Sequence, residues 1–167
     1  MSNVNPSFYP ERPQDAPAVD ALVERAFGPG RYAKAAERLR EGRELLRDLS
    51  FVAWVGESIV GCVRLYDILI GATPALLLGP FAVEESQRGR GLGAALIRHA
   101  CAAAEKAGHA LIMLVGDEAF FAPMGFSAAS ARRVVMPGPV DQRRVLVLAL
   151  RDGAGDDLAG AARALTP

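Results

Sequence analysis

The stretch EESQRGRGLGAALIRHA (residues 84–100) places three alternating glycines directly before an alanine-rich run with helical spacing. An apolar run that ends at Val83 precedes it. The first amides of a helix are unpaired and carry partial positive charge, and glycines let a ligand approach the backbone. Such a turn is typical of a site for phosphate oxygens, to which arginines add charge-assisted donors. We therefore predict a diphosphate site made by Arg88, Gly89, Arg90, Gly91, Leu92, Gly93 and Ala94.

Two other phosphate motifs compete with this interpretation. The Walker pattern fails, because no Gly-Lys-Ser/Thr follows the glycines. The dinucleotide pattern G-x-G-x-x-G/A is satisfied by Gly89, Gly91 and Ala94, and Asp117 follows the next strand. In that motif, however, the strand runs straight into the first glycine, whereas here the polar residues 84–88 intervene. A dinucleotide enzyme stays open as an alternative.

The remaining patterns predict one α/β (α+β) domain with a mixed sheet. Helical spacing predicts helices over 15–27, 32–46 and 91–107, and a short helical turn before Pro123. Apolar and alternating runs predict strands over 8–11, 51–55, 58–66, 75–83, 111–115 and 143–150, the second and third joined as a hairpin. We place the domain at residues 1–150. The Asp-, Gly- and Ala-rich segment 151–167 is predicted to be a flexible tail in which 158–165 forms at most a fraying helix.

Composition argues against several classes of protein. The chain of 167 residues carries 19 basic and 19 acidic side chains, so it lacks the basic footprint of a nucleic-acid-binding protein. The N-terminus has no apolar leader, and the longest uncharged run is too short and too broken for a membrane helix, which favours a cytoplasmic protein without a membrane partner. Cys62 and Cys101 have no metal or redox spacing, so we expect reduced, buried thiols and no metal site.

Two stretches resemble a known family. FAVEESQRGRGLGAAL (residues 81–96) resembles the acyl-CoA loop of the GNAT superfamily of N-acyltransferases, whose signature Q/R-x-x-G-x-G/A is matched by Arg88, Gly91 and Gly93. LVGDEAFFAPMGF (residues 114–126) resembles the YhbS-like branch of predicted acetyltransferases, in which a shortened helix leads to a Gly-Phe pair. The resemblance covers most of the chain and implies a mostly antiparallel central sheet flanked by helices.

The resemblance implies an N-acetyltransferase with acetyl-CoA as cosubstrate and coenzyme A as product. The acetyl group would pass directly to a primary amine of a small molecule or a protein, and a homodimer is compatible with the family. Backbone groups of Phe81, Ala82 and Val83 would pair with the pantetheine arm, and amides of residues 88–94 would hold the diphosphate. Asp117 and Phe120 would lie near the end of the pantetheine. An amide at Ala82 or Val83 would stabilise negative charge on the reacting carbonyl oxygen.

The sequence departs from the family where protons are handled. Phe121 stands where a tyrosine commonly protonates the leaving thiolate, and strand residues 76–80 offer no carboxylate as a base. The remaining candidates for a base are Asp117, which could equally cap the short helix, Asp67, Tyr32 and Tyr66. Both tyrosines are more simply surface or rim residues, and His99 and His109 more simply solvated. These gaps favour, as an alternative function, a catalytically weak or inactive sensor that binds acyl-CoA.

The acceptor would enter opposite the coenzyme in the resembled family. In this chain that region includes residues 26–32 and 132–144. Arg31, Arg132 and Arg133 either meet an acidic acceptor there or form a solvated rim. The sequence does not decide between these.

Overall fold

The computed structural model of the protein describes residues 5–28 and 34–165. The described helices are α1 (Ala16–Phe27), α2 (Glu37–Arg40), α3 (Leu92–Lys106) and α4 (Glu118–Phe121). The described strands are β1 (Ser7–Pro10), β2 (Phe51–Val55), β3 (Ser58–Ile70), β4 (Thr73–Val83), β5 (Leu111–Val115), β6 (Val134–Val135), β7 (Val145–Ala149) and β8 (Gly160–Ala164). Short 3-10 turns connect several of them.

The strands form a mixed, mostly antiparallel sheet, as the sequence predicts. Its order is β1-β2-β3-β4-β5-β7, with β8 paired to the far end of β3 and to β6. Among the described strands, only β4–β5 and β6–β8 are parallel. The hairpin predicted between β2 and β3 is present and turns at Gly56, where φ is +60°. This is not the parallel doubly wound sheet that a dinucleotide enzyme requires.

The centre of the sheet opens between β4 and β5. The two strands pair only at Leu76–Ile112 and Leu77–Met113, and then diverge towards their C-terminal ends. On the other side of β4 the register with β3 shifts, because one extra residue of β4 is accommodated around Gly79, where φ is +137°. The bulge bends β4 away from β5 and leaves a wedge between them.

Helices cover both faces of the sheet. Helix α3 packs on one face, where Leu96, Ile97 and Ala100 are fully buried. Helix α1, through Val19, Leu22 and Val23, covers the opposite face. Burial of β4 on both faces explains why its sequence is almost wholly apolar. Among the described residues, no helix has the length and apolar character needed to cross a bilayer.

The predicted second helix, 32–46, is wrong in its extent. Of the described part, only Glu37–Arg40 is α-helical, and Gly42 has a φ of +66°, which the helix cannot continue through. Beyond it, the Leu46 amide donates to the carbonyl of Leu65 at 2.8 Å, so the chain runs extended along β3. Tyr32 lies outside the described residues.

The prediction of a flexible or helical tail is also wrong for the described residues. β8 pairs antiparallel with β3, from Ile68–Ala164 to Ile70–Ala162, and Leu158 and Ala162 are buried. Gly160, at φ +121°, lies so close to Gly71 that a Cβ there would be 2.8 Å from the Gly71 Cα. The small residues GAARA of β8 show no alternating apolar pattern that would predict a strand. Backbone pairing, rather than large apolar side chains, holds them in the sheet.

Candidate active site

The glycine turn bares the amides at the start of α3. Gly89 and Gly91 have φ of +78° and +79°, a conformation that favours glycine, and the first helical bond runs from the Ala95 amide to the Gly91 carbonyl at 3.1 Å. Within the part of the chain that the structure describes, no protein acceptor bonds the amides of residues 89–94. The Arg88 amide, in contrast, donates to Glu85 at 3.2 Å, so the run of free donors begins one residue later than the sequence predicts.

Gly93 serves a different purpose from the two turn glycines. It lies inside the helix, and a Cβ there would be 3.0 Å from the ring of Phe81 and 3.5 Å from Val83. The absence of a side chain therefore lets α3 approach β4 closely. This approach brings the free amides to the edge of the wedge.

A cavity of about 500 Å³, here called the loop cavity, lies against these amides. Its wall is largely apolar and includes the exposed face of Phe120, whose ring stacks on Phe81 with centroids 6.2 Å apart. The lining residues are Ala26, Phe27, Phe81, Ala82, Val83, Gln87, Arg88, Gly89, Gly91, Leu92, Gly93, Ala94 and Phe120. Ten of the predicted site residues therefore line one cavity, and the exposed Arg90 stands outside its lining.

The backbone of β4 presents alternate residues to this cavity. The Glu84 amide donates to Val60 on β3 at 2.8 Å, so by strand alternation Ala82 also faces β3 while Phe81 and Val83 face the wedge. The Arg88 guanidinium donates through Nε to the Val83 carbonyl at 3.2 Å. Of the three backbone positions predicted to bind pantetheine, Ala82 contributes cavity wall rather than free backbone groups.

A second cavity, of about 400 Å³ and here called the splay cavity, lies over the diverging ends of β4 and β5. It shares Phe27 and Phe81 with the loop cavity, so the two cavities meet at these rings. The lining residues are Phe27, Lys34, Ala35, Ala36, Arg40, Leu78, Gly79, Pro80, Phe81, Leu114, Val115, Gly116, Asp117, Phe121, Pro139, Val140, Asp141 and Arg144. The side chains with charge are three cations and two carboxylates.

Asp117 lies in the splay cavity, where one of its oxygens caps α4. Its Oδ1 accepts a hydrogen bond from the Ala119 amide at 3.2 Å, and the residue is exposed. The capping role considered for Asp117 is thus confirmed, and its second carboxylate oxygen has no protein donor among the described residues. Phe121 is buried against Phe120 and Phe126 and supplies no hydroxyl.

Among the described residues, the other candidate acids and bases do not line either cavity. Tyr66 is buried in the core rather than at the rim, and burial raises the pKa of its hydroxyl. Asp67 is absent from the lining of both cavities. His99 contacts the edges of Phe8 and Phe51, with ring centroids 5.3 and 4.6 Å away, and His109 follows the end of α3.

The thiols are buried as predicted and stay protonated. Burial raises the pKa of both Cys62 and Cys101 to about 12. Neither side chain lines the loop cavity or the splay cavity. They are therefore unsuited to act as nucleophiles.

Of the arginines predicted at the acceptor side, the described ones, Arg132 and Arg133, do not line the splay cavity. Arg132 and Arg133 line a separate polar depression with Asp156, and Arg31 is outside the described residues. The splay cavity instead contains Lys34, Arg40 and Arg144. Sequence reasoning missed Lys34 and Arg40 because they lay in a segment predicted to be one regular surface helix.

Comparison with known proteins identifies the family. The acetyltransferase (GNAT) domain family matches residues 47–128. The N-acetyltransferase YhbS of Escherichia coli K12 is 30% identical over 153 residues, which cover 90% of each chain. The chain belongs to the GNAT acetyltransferase family. The predicted family, the YhbS-like branch and N-acetyltransferase activity are confirmed, and the dinucleotide enzyme is excluded.

Solved structures give the same fold. The crystal structure of E. coli YhbS in complex with CoA superposes with a TM-score of 0.83 at 26% identity, covering 99% of this chain and 92% of that one. A GNAT acetyltransferase from Brucella melitensis, solved with acetyl-CoA, has a TM-score of 0.72 at 24% identity and covers 98% of both chains. The splayed sheet with a glycine turn before α3 is thus the GNAT architecture.

Proposed function

We propose that this GNAT protein transfers the acetyl group of acetyl-CoA directly to a primary amine of a small molecule or a protein. The observation that carries the proposal is the row of free amides at residues 89–94, which faces a cavity that adjoins a second one at Phe27 and Phe81. Two adjoining cavities suit a reaction in which two substrates are held together.

The residues present fit coenzyme A. Free amides at a helix N-terminus suit a diphosphate, and Arg90 has no acceptor among the described residues and can add a charged donor. The wedge-facing backbone of Phe81 and Val83 suits the amides of a pantetheine arm added as a further strand. The stacked rings of Phe81 and Phe120 cover its apolar part.

Acetyl-CoA, when bound, supplies an acetyl group activated as a thioester. We propose that the Val83 amide, which faces the wedge, donates to the carbonyl oxygen on which negative charge develops. Phe121 cannot protonate the departing thiolate. This matters little, because a thiol with a pKa of ~8.5 leaves as thiolate at pH 7 at a cost of only about 2 kcal/mol.

Removal of the amine proton is the larger demand. An amine with a pKa of ~10.4 costs roughly 4.6 kcal/mol to neutralise at pH 7. Two carboxylates line the splay cavity, and Asp141 is bound by Arg143, which lowers the pKa of its carboxyl and makes it a weaker base. We therefore propose that Asp117, through its uncommitted oxygen, accepts this proton.

Thermal shifts and thiol release test the proposed function. The protein is heated with acetyl-CoA, coenzyme A or NAD, and free thiol is then followed across a panel of amines. Stabilisation of several degrees by both thioester carrier and product, with thiol release for at least one amine, is the expected result at ligand concentrations far above Kd. Binding without thiol release for any amine would instead favour the inactive sensor. A homodimer and a cytoplasmic location stay predictions.

A further inference from the structure

The charges of the splay cavity are unbalanced. Its lining carries the cations Lys34, Arg40 and Arg144 and the carboxylates Asp117 and Asp141. Asp141 is bound by both ends of the Arg143 guanidinium, at 3.1 and 3.0 Å, so its charge is already compensated. Arg40 is likewise paired with Glu37, which lies outside the lining. Among the lining side chains that form no ion pair with a described residue, Lys34 and Arg144 therefore outnumber Asp117.

Arg40 projects its free end over the floor of this cavity. Its Nε donates to Glu37 at 2.9 Å, and its side chain is only 11% exposed. Its Nη1 lies 3.4 Å from the point that a Cβ on Gly79 would occupy, directly over the bulge of β4. Among the described residues, no protein acceptor bonds either terminal nitrogen of Arg40. Glu37, which pairs with its Nε, is not part of the cavity lining. A partly desolvated guanidinium with free terminal donors is suited to a planar anion.

Arg144 supplies a second cation from another segment of the chain. Its carbonyl accepts the Gly116 amide at 2.9 Å, which fixes its backbone beside the end of β5 and next to Asp117. Its side chain is exposed and forms no ion pair with a described residue. Lys34, the third cation, contacts the ring of Phe27 at 5.1 Å.

The two segments that carry Arg40 and Arg144 are joined by a hydrogen bond. The Arg38 Nη1 donates to the Pro137 carbonyl at 2.7 Å and lies 3.1 Å from the point that a Cβ on Gly138 would occupy. This contact joins α2, which carries Arg40, to the loop that leads to Arg144. The cations are therefore presented by a connected wall and not by an isolated surface side chain.

On the basis of the proposed function, we infer that the acceptor is a small primary amine that also carries a carboxylate. The carboxylate is bound by Arg40 and Arg144, and the amine lies towards Asp117. The cavity, at about 400 Å³, has the size of a small-molecule site. A diamine of the same length would bring a second cation to the cationic wall and is disfavoured.

Matched acceptors test this inference. The probes are ω-aminocarboxylates of two to six carbons, the corresponding primary amides and the corresponding diamines. Two quantities are measured for each: kcat/KM from thiol release, and the affinity for the protein saturated with coenzyme A, by calorimetry. At the best chain length we expect the carboxylate to be preferred over its amide by roughly tenfold or more in one of these quantities.

Charge variants test which cations cause the preference for a carboxylate over its amide. Arg144→Gln should reduce the ratio of carboxylate to amide by roughly tenfold, and Arg144→Glu should shift the preference towards the diamine. Arg40→Lys, which keeps the charge but loses the planar fork, should reduce the ratio by a smaller factor. Arg132→Gln removes an exposed arginine that lines neither cavity and should leave the ratio unchanged.

The outcomes separate this inference from the proposed function. Equal use and equal binding of carboxylates and amides, or a preference that Arg144→Glu does not change, would overturn the inference while thiol release still supports acetyl transfer. Coenzyme A binding with neither transfer to nor binding of any probe would overturn the inference as well. Failure of coenzyme A to stabilise the protein would overturn the proposed function itself.

Discussion

The loop cavity and the splay cavity recognise their ligands by different means. The first depends on backbone amides of consecutive residues, with glycines whose role is to keep side chains away. The second is lined by side chains from several separate segments and carries the charges. Loss of backbone access should therefore abolish binding of coenzyme A, whereas side-chain changes in the splay cavity should alter the rate and the choice of acceptor.

Filling the space at Gly93 should have the largest effect. A side chain in Gly93→Leu meets the Phe81 ring, since even a Cβ would be 3.0 Å away, and it intrudes between α3 and β4. We expect calorimetry to show coenzyme A binding weakened by roughly 100-fold or more, a loss of about 2.7 kcal/mol. Ala95→Leu, at an exposed position of the same helix, is the matched control and should bind as the parent does. Unchanged affinity in Gly93→Leu would show that this approach does not shape the site.

Changes at Asp117 should have the next largest effect, and they should affect the splay cavity without affecting coenzyme A binding in the loop cavity. Asparagine is as good a helix cap as aspartate but a far weaker base, so Asp117→Asn should keep the stability of the protein and lower kcat by roughly 100-fold. Asp117→Ala should lose the cap as well, which costs about 1 kcal/mol of unfolding free energy. Coenzyme A affinity should change little in either variant. A normal kcat in Asp117→Asn would remove this side chain from proton transfer and leave only its structural role.

The turn glycines should show an intermediate effect. Gly91→Ala places a side chain at φ +79°, which costs roughly 1 kcal/mol and tilts the free amides. Gly42→Ala imposes a similar strain, at φ +66°, where a Cβ would have nothing within 4 Å and where the residue lines neither the loop cavity nor the splay cavity. Thermal unfolding should therefore show a similar loss for both. Only Gly91→Ala should weaken coenzyme A binding, by roughly tenfold, and equal binding by the two variants would argue against the amide site.

The smallest effect concerns a thiol that neither cavity uses. The pKa of Cys101 is about 12 in the folded protein, above its usual value of ~8.5, because the thiol is buried. Below pH 8.5 both states hold the proton. As pH rises further the unfolded state loses it first, so stability falls by at most about 1.4 kcal/mol per pH unit for this group. Between pH 8 and 10.5, the free energy of unfolding measured with denaturant should fall less steeply with pH for Cys101→Ala than for the parent. The kcat of the variant at pH 7.5 should stay within twofold of that of the parent.

The difference between the backbone site of the loop cavity and the side-chain site of the splay cavity also explains which features could be predicted from the sequence. Residues 88–94 were predictable because an anion site at a helix start is made by neighbours in the chain, and the structure brings all but Arg90 to one cavity. β5 was predicted to the residue, Leu111–Val115, because a buried strand needs an unbroken apolar run. Such features are encoded locally.

Features that depend on distant contacts were not predictable. Arg40, which lines the splay cavity, is the last residue of a helix that ends just before Gly42, where amphipathic spacing alone predicts continuation. β8 is stabilised by pairing with residues some ninety positions earlier, and its small side chains give no alternating signal. Ala82 and Val83 are both apolar, so their different backbone directions follow from the register with β3, which the sequence does not reveal.

Phe27 and Phe81 line both cavities, so each ring is part of the wall of two sites at once. If acetyl-CoA binds as proposed, its acetyl group would end near these rings, and each additional methylene of a longer acyl chain would extend towards the volume proposed for the amine. Shortening either ring should therefore change the accepted acyl length and the room for the acceptor together.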